Sequence, residues 1–322
     1  MKPTHAFLGF FLCLLLVTTA AAQENGNLQI HYMDVDQGDG AILISPGGET
    51  VMFDNGDFRS CDKPVEYLRN LGISKIISHY HSDHFGCTTE VLDEFPLQKH
   101  SYDRPGAYNS VSYRDYVEAV GSKRKHVSPG MSIVLDADTD HPVNIRIAGY
   151  NGAGIRRGRA IDRLNENDLN VVAVVHFGEL NVMMAGDLSG YNTSSYKDVE
   201  TVIARRVGQM EIYKTNHHGS AHSSNPTFLK KIKPRIAIVS AGDPNTHGHP
   251  AGKALTRIRR AGVEKVYWTS KGKGGRPKEG IDIVANGAIQ IEMSPGATVF
   301  TVKYGAETDT YSVWPTPYKG KY

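Results

Sequence analysis

Ile76-Ile77-Ser78-His79-Tyr80-His81-Ser82-Asp83-His84-Phe85-Gly86-Cys87 sets four potential metal ligands within six positions, directly after an apolar stretch. Read as a strand over 75–79 that runs into a turn, it puts His79 and His81 on one side of an extended segment, where both can grip one ion. Asp83 and His84 follow where the chain turns, and their adjacency lets them face a second ion. Mixed nitrogen and oxygen ligation suits zinc, with manganese or iron as alternatives. A histidine-rich surface loop that binds metal only adventitiously is the competing reading. Partners that recur along the chain, at Asp187 and at His217-His218, argue against it.

Outward from this run the chain alternates strands and helices. Segments 28–35, 41–45 and 51–54 read as an antiparallel meander, and 63–71 has helical spacing. Segments 171–177 and 181–185 form a hairpin around Gly178 that ends at Gly186-Asp187. A helix is expected over 196–207, then a strand over 211–215 leading into Asn216-His217-His218-Gly219-Ser220. Helices over 226–232 and 252–261 alternate with strands over 235–240 and 266–269. Polar groups suited to chemistry keep falling where strands end, as in open layered folds. Three further apolar segments, 281–284, 288–293 and 298–304, precede a tail rich in tyrosine and proline. Tyr304, Tyr311, Trp314, Tyr318 and Tyr322 are available for stacking on bases or sugars, although packing of a small sheet is the simpler reading.

Lys2, an apolar run over 6–17 and Ala20-Ala21-Ala22 read as a secretory signal peptide spanning residues 1–22. A membrane anchor needs about 20 apolar residues, and this run is shorter. The mature chain is therefore expected to be secreted or periplasmic. No later segment is apolar and long enough to cross a bilayer as a helix. Losing the signal also removes Cys13 and leaves Cys61 and Cys87, either disulfide-bonded in an oxidising compartment or two separate buried thiols. Some 300 mature residues of ordinary composition, without repeats or heptads, suffice for one large core or two modest ones. With 36 Lys and Arg against 34 Asp and Glu, net charge is near neutral. Basic residues nevertheless cluster at 123–125, 156–159, 230–235, 257–260 and 271–278. Solvated faces are the default reading, while the Gly-rich loop at 270–276 is also suited to phosphate.

Met33-Asp34-Val35-Asp36-Gln37-Gly38-Asp39, Phe53-Asp54-Asn55-Gly56, the HYHSDH run, Ala185-Gly186-Asp187, His217-His218-Gly219-Ser220 and Gly248-His249-Pro250 together resemble the metallo-β-lactamase superfamily. More narrowly they look like the soluble hydrolase domain of the ComEC family of DNA-uptake proteins. The resemblance covers roughly residues 28–270 and rests on six ordered motifs. It implies an α/β fold, the αββα sandwich, with a dinuclear site at the sheet edge. A hydrolase domain over 23–280 and a C-terminal β extension over 281–322 are expected. The channel-forming membrane part of those uptake proteins has no counterpart in this chain.

Carried over residue by residue, the resemblance makes His79 and His81 ligands of one metal, and Asp83 and His84 ligands of the other or partners of its water. Asp187 would bridge both, with a turn aspartate as the alternative. Asp54 would orient a ligand histidine. Asp39 lies near the site or serves a hairpin turn. His217 and His218, adjacent on an extended segment, should project to opposite faces, so one ligand is expected from the pair. His249 would give a proton to a leaving group, with a structural histidine at a helix start as the alternative. Asp83, Asp39 and His249 are thus the candidates for catalysis, and Asn167, Ser220 and Lys271 those for substrate binding. Many relatives carry a further histidine about twenty residues before the bridging aspartate. Here that stretch reads Asn165-Glu166-Asn167-Asp168, and His176 falls inside a strand, so one tight and one weak metal is an alternative to two equal ones. The implied chemistry is attack by metal-activated water, without a protein nucleophile. Three substrate readings stand: a phosphodiesterase or nuclease acting on DNA; a hydrolase of another ester or amide, such as a phosphocholine ester, lactone or β-lactam; and a non-catalytic metal-binding protein.

Overall fold

The computed structural model describes residues 25–69, 78–152, 164–243 and 245–315, and the backbone alone of 73–76. The signal segment, the 156–159 cluster, Tyr318 and Tyr322 lie outside these residues. The amino-terminal half supplies β1 (Leu28–Tyr32), β2 (Gly40–Ile44), β3 (Thr50–Asn55), β4 (Ile73–Ile76), β5 (Leu97–Asp103), β6 (Arg124–His126), β7 (Ser132–Leu135) and β8 (Val143–Gly149). There follow β9 (Val172–Phe177), β10 (Leu180–Ala185), β11 (Ile212–Lys214), β12 (Ile236–Val239), β13 (Lys265–Trp268) and β14 (Asp282–Val284). The last three are β15 (Ile289–Met293), β16 (Val299–Tyr304) and β17 (Glu307–Ser312). Among the described residues they form one sheet ordered β17-β16-β15-β1-β2-β3-β4-β5-β6 and a second ordered β14-β13-β12-β11-β10-β9-β8-β7.

The sheets face each other because alternate residues of each strand are apolar on the inner side. Leu28, Ile30 and Tyr32 of β1 join Ala173, Val175 and Phe177 of β9 and Ile236 and Ile238 of β12 in one buried cluster. Val172 and Val174 point the other way, under α5 (Glu200–Val207), α6 (Pro226–Ile232) and α7 (Gly252–Arg260). Strands buried on both faces read as nearly continuous apolar runs, which is why this hairpin was plain in the sequence. Ile42, Ile44 and Met52 on the outer face of the first sheet pack against Leu68 of α1 (Asp62–Leu68) and Val91 of α3 (Thr88–Glu94). A separate cluster of Tyr80, Phe85 and Leu97 seats α4 (Val111–Val120). The result is the αββα sandwich. No helix among the described residues is long and apolar enough to cross a membrane.

The meander is antiparallel as expected, while β3 through β6 and β10 through β14 run parallel. Parallel neighbours end on the same side, so the loops after β3, β4, β10, β11 and β12 gather at one rim. Several boundaries differ from the sequence reading: β1 stops at Tyr32 rather than residue 35. β4 stops at Ile76, so the histidine run occupies a loop and a single helical turn, α2 (Ser82–Phe85). Residues 196–199 are not helical; the segment ahead of α5 is tied down by Val199 N–H donating to Ser189 O. The segments expected as a terminal extension continue both sheets: β14 lies beside β13 and β15 beside β1. Tyr267 OH bonds Asp309 and Tyr311, and Trp314 donates to Met210 O, so the described tail aromatics face protein. Cys61 and Cys87 are joined by a disulfide across Cα atoms 5.1 Å apart.

Candidate metal centre

Four loops of the shared rim converge. After β4, the rings of His79 and His81 stand with Nε2 and Nδ1 3.2 Å apart. The turn of α2 then carries His84 beneath them, its ring 4.1 Å from that of His79. Asp54 ends the motif in β3: its Oδ1 accepts from Ser78 N–H at 2.7 Å, and its Oδ2 lies 2.8 Å from His84 Nδ1. That contact leaves Nε2 as the inward nitrogen of His84, 3.2 Å from Asp187 Oδ1. Gly186 is required before Asp187, because a side chain there would strike Asn170 and Ser78. Asn170 Oδ1 in turn accepts the Asp187 N–H at 2.9 Å.

His217 and His218 correct the extended geometry expected of them. Both have positive φ, 52° and 48°, inside a 3-10 turn, so their side chains do not alternate across a strand. Both rings therefore reach the rim. His217 Nε2 lies 3.5 Å from Asp187 Oδ2 and 3.2 Å from Asn167 Nδ2. His218 Nε2 lies 3.2 Å from Asp83 Oδ2 and 3.4 Å from Asp187 Oδ1, while its Nδ1 lies 3.2 Å from Asp39 Oδ1. Asp39 is thus part of the cluster and not merely a turn residue.

Two sets of donor atoms lie within 4.8 Å of one another: His79, His81 and Asp187, and Asp39, His84, Asp187 and His218. His84 Nε2 and Asp187 Oδ1 confront each other without a hydrogen bond although both are buried. A buried imidazole nitrogen and a carboxylate oxygen left this close without a well-aligned hydrogen bond fit a cation between them. Charge points the same way. Burial alone would neutralise Asp187, yet His217, His218 and His84 outweigh it and hold its carboxyl well below the usual range. Burial would likewise deprotonate His218, but Asp187 and Asp39 push it up to about 10. These imidazole protons offset carboxylate charge that a divalent ion would offset instead, so binding displaces them. His79 is held far below its ordinary value by burial and by His84 and His81.

A cleft of about 500 Å3 opens over the cluster, lined by Asp83, Asn167, Asp187, His217, His218 and His249 among others. Tyr108 and Tyr196 stand on its walls, and Arg59 is the guanidinium among its described lining residues. His249 is placed with its ring 5.3 Å from that of His217; burial, with His218 and His217, lowers its pKa to about 3. Ser220 does not line this cleft: its N–H donates to His217 O and closes the histidine turn. Lys271 is exposed and does not line it either, because Gly272 and Gly274 of its loop pack against the backbone of His249 and Pro250. His176 bonds Asn181 within its hairpin.

Two elements escaped the sequence reading. Glu166, its side chain 7% exposed, pairs with Arg104 and accepts Tyr80 N–H at 3.0 Å, which pins the loop between His79 and His81. Lys214, at the end of β11, ion-pairs with Asp39 in the interior. A lysine inside the stretch expected as a strand, Glu211–Thr215, was the one available signal.

The fold and this cluster describe a class, the metal-dependent hydrolases that bind divalent ions, and the chain belongs to the metallo-β-lactamase superfamily, whose profile matches residues 35–243. It is similar to Recombination protein 2 of Haemophilus influenzae, 24% identical over 243 residues that make up 72% of this chain and 26% of that one. It is also similar to ComE operon protein 3 of Bacillus subtilis, 23% identical over 266 residues, 76% of this chain and 32% of that one. Both are ComEC-family related proteins, and the chain spans about a third or less of their length. Among solved structures, the metallo-β-lactamase fold protein YhfI from Bacillus subtilis aligns over 77% of this chain and 98% of its own, at 12% identity and a TM-score of 0.48.

Proposed function

We propose that this chain is an exported dinuclear hydrolase of phosphodiesters, with nucleic acid as the substrate class. The observation that carries the reading is the position of Asp187, whose carboxylate faces His79 and His81 on one side and His84 and His218 on the other. Its motifs, shared with the hydrolase domain of DNA-uptake proteins, support the choice of bond. When bound, two divalent cations, zinc by donor set with manganese as the alternative, supply Lewis acidity and a more acidic water. His79 and His81 would hold one ion, and Asp83, His84 and His218 the other. Asp54 accepts at Nδ1 of His84 and the Ser240 carbonyl, 3.1 Å away, accepts at Nδ1 of His218, which turns both Nε2 atoms inward. His217, braced by Asn167, lies beside Asp187 as a further donor to the first ion. His249 overlooks the cluster from the cleft wall, where its ring N–H can donate to a leaving-group oxygen. The apolar leader and the Cys61–Cys87 bridge support export into an oxidising compartment.

One observation favours a smaller substrate, such as a phosphocholine ester, lactone or β-lactam. Among the described residues the basic clusters do not line the cleft: Arg124 pairs with Asp103, Arg235 with Glu264 and Arg259 with Asp282, while Arg257 donates to Ala221, Ser223 and Ser224 carbonyls. One metal-loaded preparation assayed on bis(p-nitrophenyl) phosphate, single- and double-stranded DNA, RNA, phosphocholine esters, lactones and β-lactams decides between them. A nuclease loses DNA affinity steeply as salt rises. Inert nucleic acid alongside efficient lactone or β-lactam cleavage overturns the first reading, and full activity after exhaustive chelation overturns both.

A further inference from the structure

We infer that Lys214 is a positioning residue of the metal centre: its ammonium holds Asp39 off the ions and gives the loaded site one net positive charge. The inference rests on the two-ion reading above. Lys214 is 3% exposed, its ammonium meets Asp39 Oδ2, and the Ala185 carbonyl lies 3.4 Å away. Both side chains line a small chamber of about 20 Å3 with Tyr32, Asp54, Ser78 and Met184.

Asp39 has two possible roles. One of its oxygens lies close enough to the donor atoms of His84, Asp187 and His218 to serve as a ligand. The same carboxylate lies 3.2 Å from His218 Nδ1 as a neighbouring charge, beside the Ser240 carbonyl that accepts from that nitrogen at 3.1 Å. What separates the roles is the partner of its other oxygen. A buried ammonium is unfavourable unless paired, so Lys214 and Asp39 hold each other. Charge adds a second effect. Asp39, Asp54, Asp83 and Asp187 surround the centre, and two divalent cations offset these four charges. Lys214 then leaves the site one positive charge, which an anionic phosphodiester or phosphate answers.

Both effects fix a sign that mere structural support does not share. Removing the ammonium frees Asp39 to ligate and removes repulsion of the cations, so metal should bind more tightly while anions bind less well. Losing only a structural prop would loosen the metal.

The test is a cycle of Lys214→Met, Asp39→Asn and the double variant, read by zinc titration against a competing chelator and by calorimetric titration of inorganic phosphate into the zinc-loaded protein. Lys214→Met should bind zinc about tenfold more tightly and phosphate about tenfold less. Asp39→Asn should bind zinc about tenfold less tightly, and the double variant should return to within about threefold of wild type. Folded Lys214→Met with unchanged or weaker zinc affinity overturns the proposal. Should that variant not fold, the double variant, with neither a lone carboxylate nor a lone ammonium in the interior, is compared with wild type and with folded Asp39→Asn. Zinc affinity recovered on removing Lys214 supports the proposal, and no recovery overturns it. Wild-type protein that binds no zinc refutes the metal centre itself, a different outcome from a flat cycle on a zinc-binding protein.

Discussion

Replacing Asp54 with asparagine probes the histidine orientation at the centre with almost no change of shape. Asp54 Oδ1 accepts from Ser78 N–H at 2.7 Å, and Oδ2 accepts from Ser78 Oγ at 2.7 Å and faces His84 Nδ1 at 2.8 Å. Asparagine keeps one oxygen. The Ser78 N–H can only donate, so that oxygen stays with it and the amide NH2 turns towards His84. Nδ1 must then accept, which moves the imidazole proton to Nε2, the nitrogen 3.2 Å from Asp187 Oδ1. A proton there blocks ligation, so metal affinity should fall about 10- to 100-fold, or roughly 1.4–2.8 kcal/mol. Asp54→Ala removes the acceptor of two buried Ser78 donors as well, at about 1–3 kcal/mol each. It should therefore unfold at lower urea in the metal-stripped state, whereas the asparagine variant should lose affinity with less loss of stability. Chelator competition and urea melts of both variants read these effects. An asparagine variant with wild-type zinc affinity would refute the tautomer argument.

Asp187→Ala should retain the fold and lose more than about 100-fold in turnover, beyond the effect of an orienting neighbour; a normal rate would remove Asp187 from the centre. Thiol labelling of the unfolded mature protein without reductant should find no free cysteine. Replacing Cys61 and Cys87 with alanine should lower stability by about 3.5 kcal/mol, from a 26-residue separation closed by the bridge, and unchanged urea melts would contradict this. Burial raises the Asp168 carboxyl to about 6. Its folded pKa exceeds the unfolded one, so its contribution is present below about pH 4 and is lost as pH rises through about 6. Asp168→Asn should accordingly be more stable relative to wild type at pH 7 than at pH 4, by roughly 2 kcal/mol. A difference independent of pH in paired melts would show that the carboxyl does not titrate there.

What could be read from the sequence was what repeats locally. Strands buried on both faces announce themselves as apolar runs, and the aspartates and histidines at their ends carry recognisable neighbours. His217 and His218 were misjudged because two consecutive left-handed residues break the alternation that any strand argument assumes. β5 stayed hidden because Leu97, Ser101 and Asp103 are buried while Gln98 and Lys99 are exposed, a pattern with no clean apolar face. Lys214 could not be interpreted because its partner lies 175 residues away in the chain. Lys271 misled for a different reason: glycines that suit a phosphate also suit close approach of two backbones, and here the second use prevails.

The neighbour of β1 on one side is β15, made some 260 residues later. During synthesis the first sheet therefore waits with a bare edge, and Ile289, Ile291, Phe300 and Val302 are missing from the core until β15 and β16 have been made. A nascent chain ending near residue 280 would carry the whole set of histidines and aspartates and still lack one flank of the sandwich that holds them. Pairing of β15 and β16 with β1, rather than emergence of the motifs, is then the step that completes the support of the centre.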